Sequence, residues 1–274
     1  MKLYLSVDME GITGIPDHTF VDSSKHNYER ARKIMTEEVN YVLHTAYENG
    51  ATEILVNDSH SKMNNLLIDD LHPDVLLITG GAKPYSMVEG LDESFDGAMF
   101  IGYHARAAMK GVLSHSMTFG VRNFYVDERA VGELGFNAYM AGHYGVPVLM
   151  VAGDDQAAME AEDLLPNVTT AAVKETITRA AVKSLTPRKA GELLQQKTKE
   201  AIHNRSNVPP LRASESPALA IEFMNYGQAE WAAMMPGAVL ASDSTTVHFQ
   251  ARDIKEAYQA MLVMTDLAMR ATSS

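Results

Sequence analysis

Cysteine is absent from the 274-residue chain, which removes disulfides, thiolate metal sites and cysteine nucleophiles together and fits a reducing compartment. Any metal must therefore be held by histidine, aspartate or glutamate. Positive charge is scarce. Thirty-five acidic residues face 23 basic ones, for a net charge of -12, and no basic stripe supplies the phosphate-neutralising charge that nucleic acid or an anionic membrane requires. Long apolar runs are missing too: MKLYLSVDMEG stops being apolar after a few residues, at two carboxylates, short of a signal-peptide core or a membrane span. These absences lead us to expect a cytoplasmic protein with neither nucleic acid nor membrane as partner. With 46% hydrophobic and 21% charged residues the chain has the balance of a folded protein, not a disordered one.

What is present is a set of short runs rich in Val, Ile, Leu and Met, at residues 3–7, 54–56, 75–78, 98–101 and 146–151, each reading as a buried strand. Between the first two, Ala31, Ile34, Met35, Val39, Val42, Leu43 and Ala46 recur at helical spacing and stop before Gly50, which marks an amphipathic helix with a glycine end. Strand, helix, strand in this order is the pattern of a right-handed parallel crossover. The string YVDERAVGE reads as a hairpin turning at Asp127 and Glu128, followed by helices from Gly135 and Gln156, a strand from Asn167 and a helix from Pro187. A proline- and serine-containing stretch, 207–217, reads as a linker. After it come strands at 218–223 and 245–251 and a helix at 254–269. The expected fold is α/β, a mostly parallel sheet covered by helices, with a second smaller α+β domain: residues 1–160 as the metal-binding catalytic domain and 161–274 as the smaller one.

In open α/β sheets ligands collect at the carboxyl ends of the strands. There the first run delivers Asp8 and Glu10, the second Asn57, Asp58 and His60, a later one His104, and the expected hairpin Glu133. All the candidate ligands carry oxygen or imidazole donors. If the first strand continues through Met9, Asp8 and Glu10 point to one face. Two carboxylates so close repel, and a divalent cation is the usual means of keeping both ionised in a partly buried site. Asp8, Glu10, His60, His104 and Glu133 suffice for two zinc ions, with Asp8 as the bridging carboxylate and a hydroxide between the metals attacking a carbonyl. His115, in the polar segment VLSHSMTFG, is suited to proton transfer near neutral pH. His18, His26, His44, His72, His143, His203 and His248 read as structural residues. No GxSxG elbow accompanies Ser114 and Ser116, which sets a serine hydrolase aside. Asp154 and Asp155 serve a helix cap as readily as a site.

The strings SVDMEG, VNDSHSKMNN, GYHA, SHSM and GELGFNAY resemble the zinc-dependent D-aminopeptidases of bacterial dipeptide-transport operons, peptidase family M55, and the resemblance extends over essentially the whole chain. It implies a binuclear zinc peptidase, with two Zn2+ per subunit, that removes N-terminal D-amino acids from short peptides such as D-Ala-D-Ala. It also implies a homodecamer of two stacked pentameric rings. Carried over by motif, Asp8, Glu10, His60, His104 and Glu133 are its zinc ligands. The resemblance gives His115 a catalytic role, described there as nucleophile; with hydroxide already in that part, general acid or base suits His115 better. A metal-dependent amidohydrolase acting on a cyclic amide would use the same ligands, and a non-catalytic peptide-binding protein would need no such set. For the pocket that selects the D-isomer, Asn57, Asn65 and Asn137 are the polar candidates.

Overall fold

The computed structural model describes residues 1–273. The chain opens with β1 (Lys2–Val7), a one-turn helix α1 (His18–Val21), the long α2 (Tyr28–Glu48) and β2 (Glu53–Asp58). Next come β3 (Leu76–Ile78), β4 (Gly97–Tyr103), the hairpin β5 (Val121–Val126) and β6 (Arg129–Val131), α3 (Glu133–His143), β7 (Val148–Asp154) and α4 (Asp155–Leu164). The remainder holds β8 (Thr169–Thr178), β9 (Ala181–Ser184), α5 (Pro187–Asn204), β10 (Ala218–Phe223), α6 (Tyr226–Ala232), β11 (Val239–Leu240), β12 (Thr246–Gln250) and α7 (Ile254–Met269).

Seven strands form the main sheet in the order β3-β2-β1-β4-β7-β8-β9, parallel throughout except for the antiparallel edge strand β9. Four of the five expected apolar runs are its inner strands β1, β2, β4 and β7, and burial on both faces explains why they read as continuous hydrophobic stretches, whereas the run at 75–78 is the half-exposed edge strand β3. Leu3, Leu5 and Val7 of β1 join a core with α2 and α5, while Tyr4 turns to the opposite face and joins a core with α3, α7 and the second sheet. All seven helical-period positions of α2 are buried, and Gly50 ends it at φ +96°, a backbone region that only glycine enters freely.

The second sheet is antiparallel, in the order β11-β12-β10-β5-β6. Its strands come from both halves of the chain: the hairpin β5–β6 pairs with β10, whereas β8 and β9 extend the main sheet. The division between the sheets therefore does not fall at residue 160. The proline-containing stretch is docked, not free. The backbone of Leu211 lies so close to Gly142 of α3 that a Cβ there would stand 1.5 Å from the Leu211 carbonyl oxygen, and Ser214 hydrogen-bonds Asp127 in the hairpin turn. That turn has Asp127 and Glu128 both at positive φ, as a two-residue hairpin of this twist demands.

The two middle strands meet the site through a β-bulge. Where β4 pairs with β7 the register shifts between Ile101 and Tyr103, with Gly102 at φ +74°. A Cβ on Gly102 would meet the Asp8 carbonyl oxygen at 2.1 Å. The bulge lets the chain leaving β1 cross β4 in direct backbone contact and re-aims the residues that follow, His104 among them.

Candidate metal centre

Five of the candidate residues converge beyond the carboxyl ends of β1, β2 and β4 and the N-terminus of α3, all buried: Asp8, Glu10, His60, His104 and Glu133. The route differs from expectation in two places. Strand β1 ends at Val7, so Asp8 and Glu10 do not share a strand face; a turn, begun by the Gly11 amide donating to the Gly102 carbonyl at 2.7 Å, brings them together. Glu133 belongs not to the hairpin but to the first position of α3, after the N-cap Gly132, where the helix dipole favours a carboxylate.

Local chemistry fixes each donor. Asp58 accepts the backbone amides of Asn65 and Leu66 and the Asn65 side chain, which folds the 58–66 loop around His60. The His60 Nε2 faces the Val21 carbonyl at 2.8 Å; a carbonyl only accepts, so Nε2 carries a proton and Nδ1 is the nitrogen turned inward. That Nδ1 stands 3.0 Å from Glu10 Oε2 and 3.3 Å from Asp8 Oδ1. His104 has the reverse arrangement: Nδ1 donates to the Ala105 carbonyl at 2.9 Å, and Nε2 points at Asp8 Oδ2, 3.5 Å, and Glu133 Oε2, 3.4 Å. Backbone carbonyls fixing the outer nitrogen of each imidazole are the usual support of metal-binding histidines.

Asp8 thus directs one oxygen toward His60 and the other toward His104, the orientation of a bridging carboxylate. The inner nitrogen of His104 is buried with no hydrogen-bond partner, an orphaned polar atom of a kind folded proteins rarely leave. The ligand atoms of Asp8, Glu10 and His104 lie within 4.8 Å of one another, and so do those of His104, His115 and Glu133. Imidazole and carboxylate donors without sulfur suit zinc.

The charges argue the same way. Burial, with the Glu10 and Glu133 carboxylates close by, pushes Asp8 up to about 8. Burial alone would also raise Glu10, but the imidazoles of His60, His115 and His104 hold it well below the usual carboxylate range; at Glu133 burial is likewise overcome, by His104 and His115. Burial opposes protonation of His60 and His104, yet the carboxylates keep both well above an ordinary histidine. Without metal, protons balance the clustered carboxylates in the place a divalent cation fits.

His115 lies beside this group, its ring stacked on His104 at 4.3 Å between centroids. Its Nδ1 donates to the Leu113 carbonyl at 2.9 Å, and its Nε2 is 3.7 Å from Glu133 Oε1. Burial and the adjacent His104 lower its basicity. The other Glu133 tie, the Met117 amide donating to Oε1 at 2.6 Å, holds the loop that carries His115.

A cavity of about 550 Å³ opens over Asp8, Glu10, His60 and Glu133, walled by Lys62 and Met269 among others. The three asparagines expected near it are engaged elsewhere. Asn57 binds Lys83 and the Ser86 carbonyl, Asn65 binds Asp58, the His60 carbonyl and Tyr28, and Asn137 links Tyr103 to Tyr258; none lines the cavity. His18, read as structural, does line it and packs edge-on against Phe119. Asp154 caps α4 through the Gln156 and Ala157 amides, the structural alternative.

Lys174, which no sequence pattern singled out, lies fully buried behind the ligand loop. Its Nζ donates to the carbonyls of Glu10, Ile12 and Ile15, and burial lowers it to about 8 against the raising charges of Asp154 and Glu38.

A parallel α/β sheet with clustered carboxylates and imidazoles at its strand ends defines a metal-binding protein of the hydrolase type. The profile of peptidase family M55, D-aminopeptidase, matches residues 1–263, and the chain belongs to that family. It is 66% identical over 270 residues, 98% of each chain, to the D-aminopeptidase of Bacillus subtilis strain 168. The solved structure of the Zn-dependent D-aminopeptidase DppA from Bacillus subtilis, described as a self-compartmentalizing protease, superposes with a TM-score of 0.98 at 66% identity over 98% of both chains.

Proposed function

We propose that the protein is a zinc-dependent aminopeptidase that hydrolyses N-terminal D-amino acids from short peptides such as D-Ala-D-Ala. Asp8, Glu10, His60, His104 and Glu133 would hold two zinc ions. The observation that carries this reading is the orphaned inner nitrogen of His104, aimed between Asp8 and Glu133 in a chain of the D-aminopeptidase family. No helix among the described residues is long and apolar enough to cross a membrane. Cytoplasmic location and assembly as two stacked pentameric rings belong to the same proposal, the assembly supported by the relative described as self-compartmentalizing.

Zinc bound here supplies Lewis acidity, polarising the scissile carbonyl and acidifying water. The chain's own residues do the rest. Glu10 and Glu133, held ionised by the neighbouring imidazoles, set the negative charge that attracts the cations and the substrate's free amine. His115, with Nδ1 committed to the Leu113 carbonyl, has only Nε2 free for exchange; lowered basicity keeps that nitrogen unprotonated before reaction, open to take a proton from water, and makes the proton easy to release to the departing amine. Glu133, fixed by the Met117 amide, keeps the Nε2 side of His115 and the inner nitrogen of His104 facing the same space.

The test is turnover of D-Ala-Gly-Gly against L-Ala-Gly-Gly by the zinc-loaded enzyme. Hydrolysis of the D-isomer with the L-isomer slower by at least about a hundredfold, the scale of discrimination that mismatched positioning produces, is expected; equal rates contradict the reading.

A further inference from the structure

A second cavity, of about 800 Å³, lies on the far side of His115 and Phe119, which line both cavities. Its walls include Arg122 and Arg179 and no carboxylate, although the chain as a whole carries a net charge of -12. The first cavity has the opposite character, with Asp8, Glu10, Asp22 and Glu133 in its wall. Arg122 is paired with Glu222 at 3.5 Å. Arg179 has no carboxylate partner among the described residues: its Nη2 donates to the Ser114 carbonyl at 3.0 Å, and its guanidinium lies over the Phe119 ring at 5.5 Å. The backbone next to His115 and the ring that packs on His115 thus hold one uncompensated cation in place.

We propose that Arg179 binds the C-terminal carboxylate of a tripeptide substrate, making this second cavity the subsite for the leaving portion. The inference rests on the aminopeptidase reading above. There the proton that frees the departing amine comes from His115, so the leaving portion lies on the His115 side of the scissile bond. From the His115 ring it is 4.9 Å to Phe119 and a further 5.5 Å to the Arg179 guanidinium. Two residues of leaving chain, each spanning at most about 3.6 Å, and one ion-pair contact cover that path. A zwitterionic short peptide is complementary to the pair of cavities, its ammonium end in the acidic one and its carboxylate end at a planar guanidinium suited to bidentate pairing. A longer peptide leaves the arginine without its carboxylate and a dipeptide falls short of it, so the subsite also sets a preference for tripeptides.

The experiment compares kcat/KM for D-Ala-Gly-Gly with that for its C-terminal amide, using zinc-loaded wild type, Arg179→Met, Arg179→Lys and Lys62→Met. Wild type is expected to favour the free acid by about tenfold or more, the scale of a lost charge-assisted contact. Arg179→Met brings that ratio close to one, Arg179→Lys keeps part of it, and Lys62→Met, altering the cation in the wall of the first cavity, leaves it standing. No preference in wild type, or a preference that survives Arg179→Met, overturns the assignment while leaving the aminopeptidase reading intact. Loss of the preference in Lys62→Met alone moves the carboxylate to the first cavity and equally overturns it. A wild type that cleaves neither peptide overturns the aminopeptidase reading and this inference with it.

Discussion

At the scale of single residues the proposed centre sets protons against metal. Asp8 is pushed up to about 8 by burial and neighbouring carboxylates, and His60 and His104 are held well above an ordinary histidine by those carboxylates despite their burial. Each must lose its proton to ligate. Both kinds of shift act in the same direction: raised values mean that protons occupy the donors at neutral pH and leave as pH rises. Zinc affinity of the metal-free protein is therefore expected to increase through the neutral range, with protons released on binding at pH 7. Calorimetric titration in two buffers of different ionisation enthalpy reads that release, and uptake without protons contradicts the charge assignment. The ligand types were legible because apolar runs end abruptly in Asp8, His60 and His104. What was not legible is how Asp8 and Glu10 meet. Alternation along a strand suggested one face, whereas the strand stops at Val7 and a turn against Gly102 does the work. Asn57, Asn65 and Asn137 looked available because sequence does not reveal which polar groups the core already engages; Asn137 is held between two buried tyrosines.

At the scale of elements, the loop after β1 is the piece most exposed to failure, since it has no ladder of its own. Three of its carbonyls, those of Glu10, Ile12 and Ile15, converge on the Lys174 ammonium of β8, and the Thr13 amide donates to Glu38 of α2 at 3.0 Å. Removing the ammonium leaves the buried carbonyls of Glu10 and Ile15 unsatisfied and that of Ile12 with only the Ile15 amide at 3.4 Å, beside the proposed metal ligands. Lys174→Met is expected to lower stability of the metal-free protein by about 3 kcal/mol and to weaken zinc binding, measured by urea unfolding and by competition with a chelator. Unchanged zinc affinity contradicts the clamp. A lysine in the strand NVTTAAVK gives no local sign of this role, because its partners lie about 160 residues away in sequence. The helix and strand cores were readable from periodicity; the second sheet was not, since β5 pairs with β10 across nearly a hundred residues and non-local pairing leaves no local pattern.

At the scale of the whole molecule, the main sheet presents the site at the carboxyl ends of its middle strands, while the second sheet and α7 pack behind α3 and bring Met269 to the cavity wall. The division expected at residue 160 is crossed by both sheets, so the half beyond it is structurally tied to the half that carries Asp8, His60 and His104. Assembly into two pentameric rings predicts a particle of ten 30.0 kDa chains, about 300 kDa, in light scattering at micromolar concentration; a 30.0 kDa monomer with full activity contradicts the assembly. The central claim, that Asp8 and its neighbours would hold two zinc ions used for hydrolysis, is tested most directly by zinc content together with D-Ala-D-Ala turnover in wild type, Asp8→Ala and His115→Ala. The account predicts two zinc ions per chain and activity in wild type, and fewer than about one zinc with no turnover in Asp8→Ala. Zinc is retained in His115→Ala, with kcat lowered about a hundredfold or more. A metal-free wild type that still hydrolyses the dipeptide contradicts it.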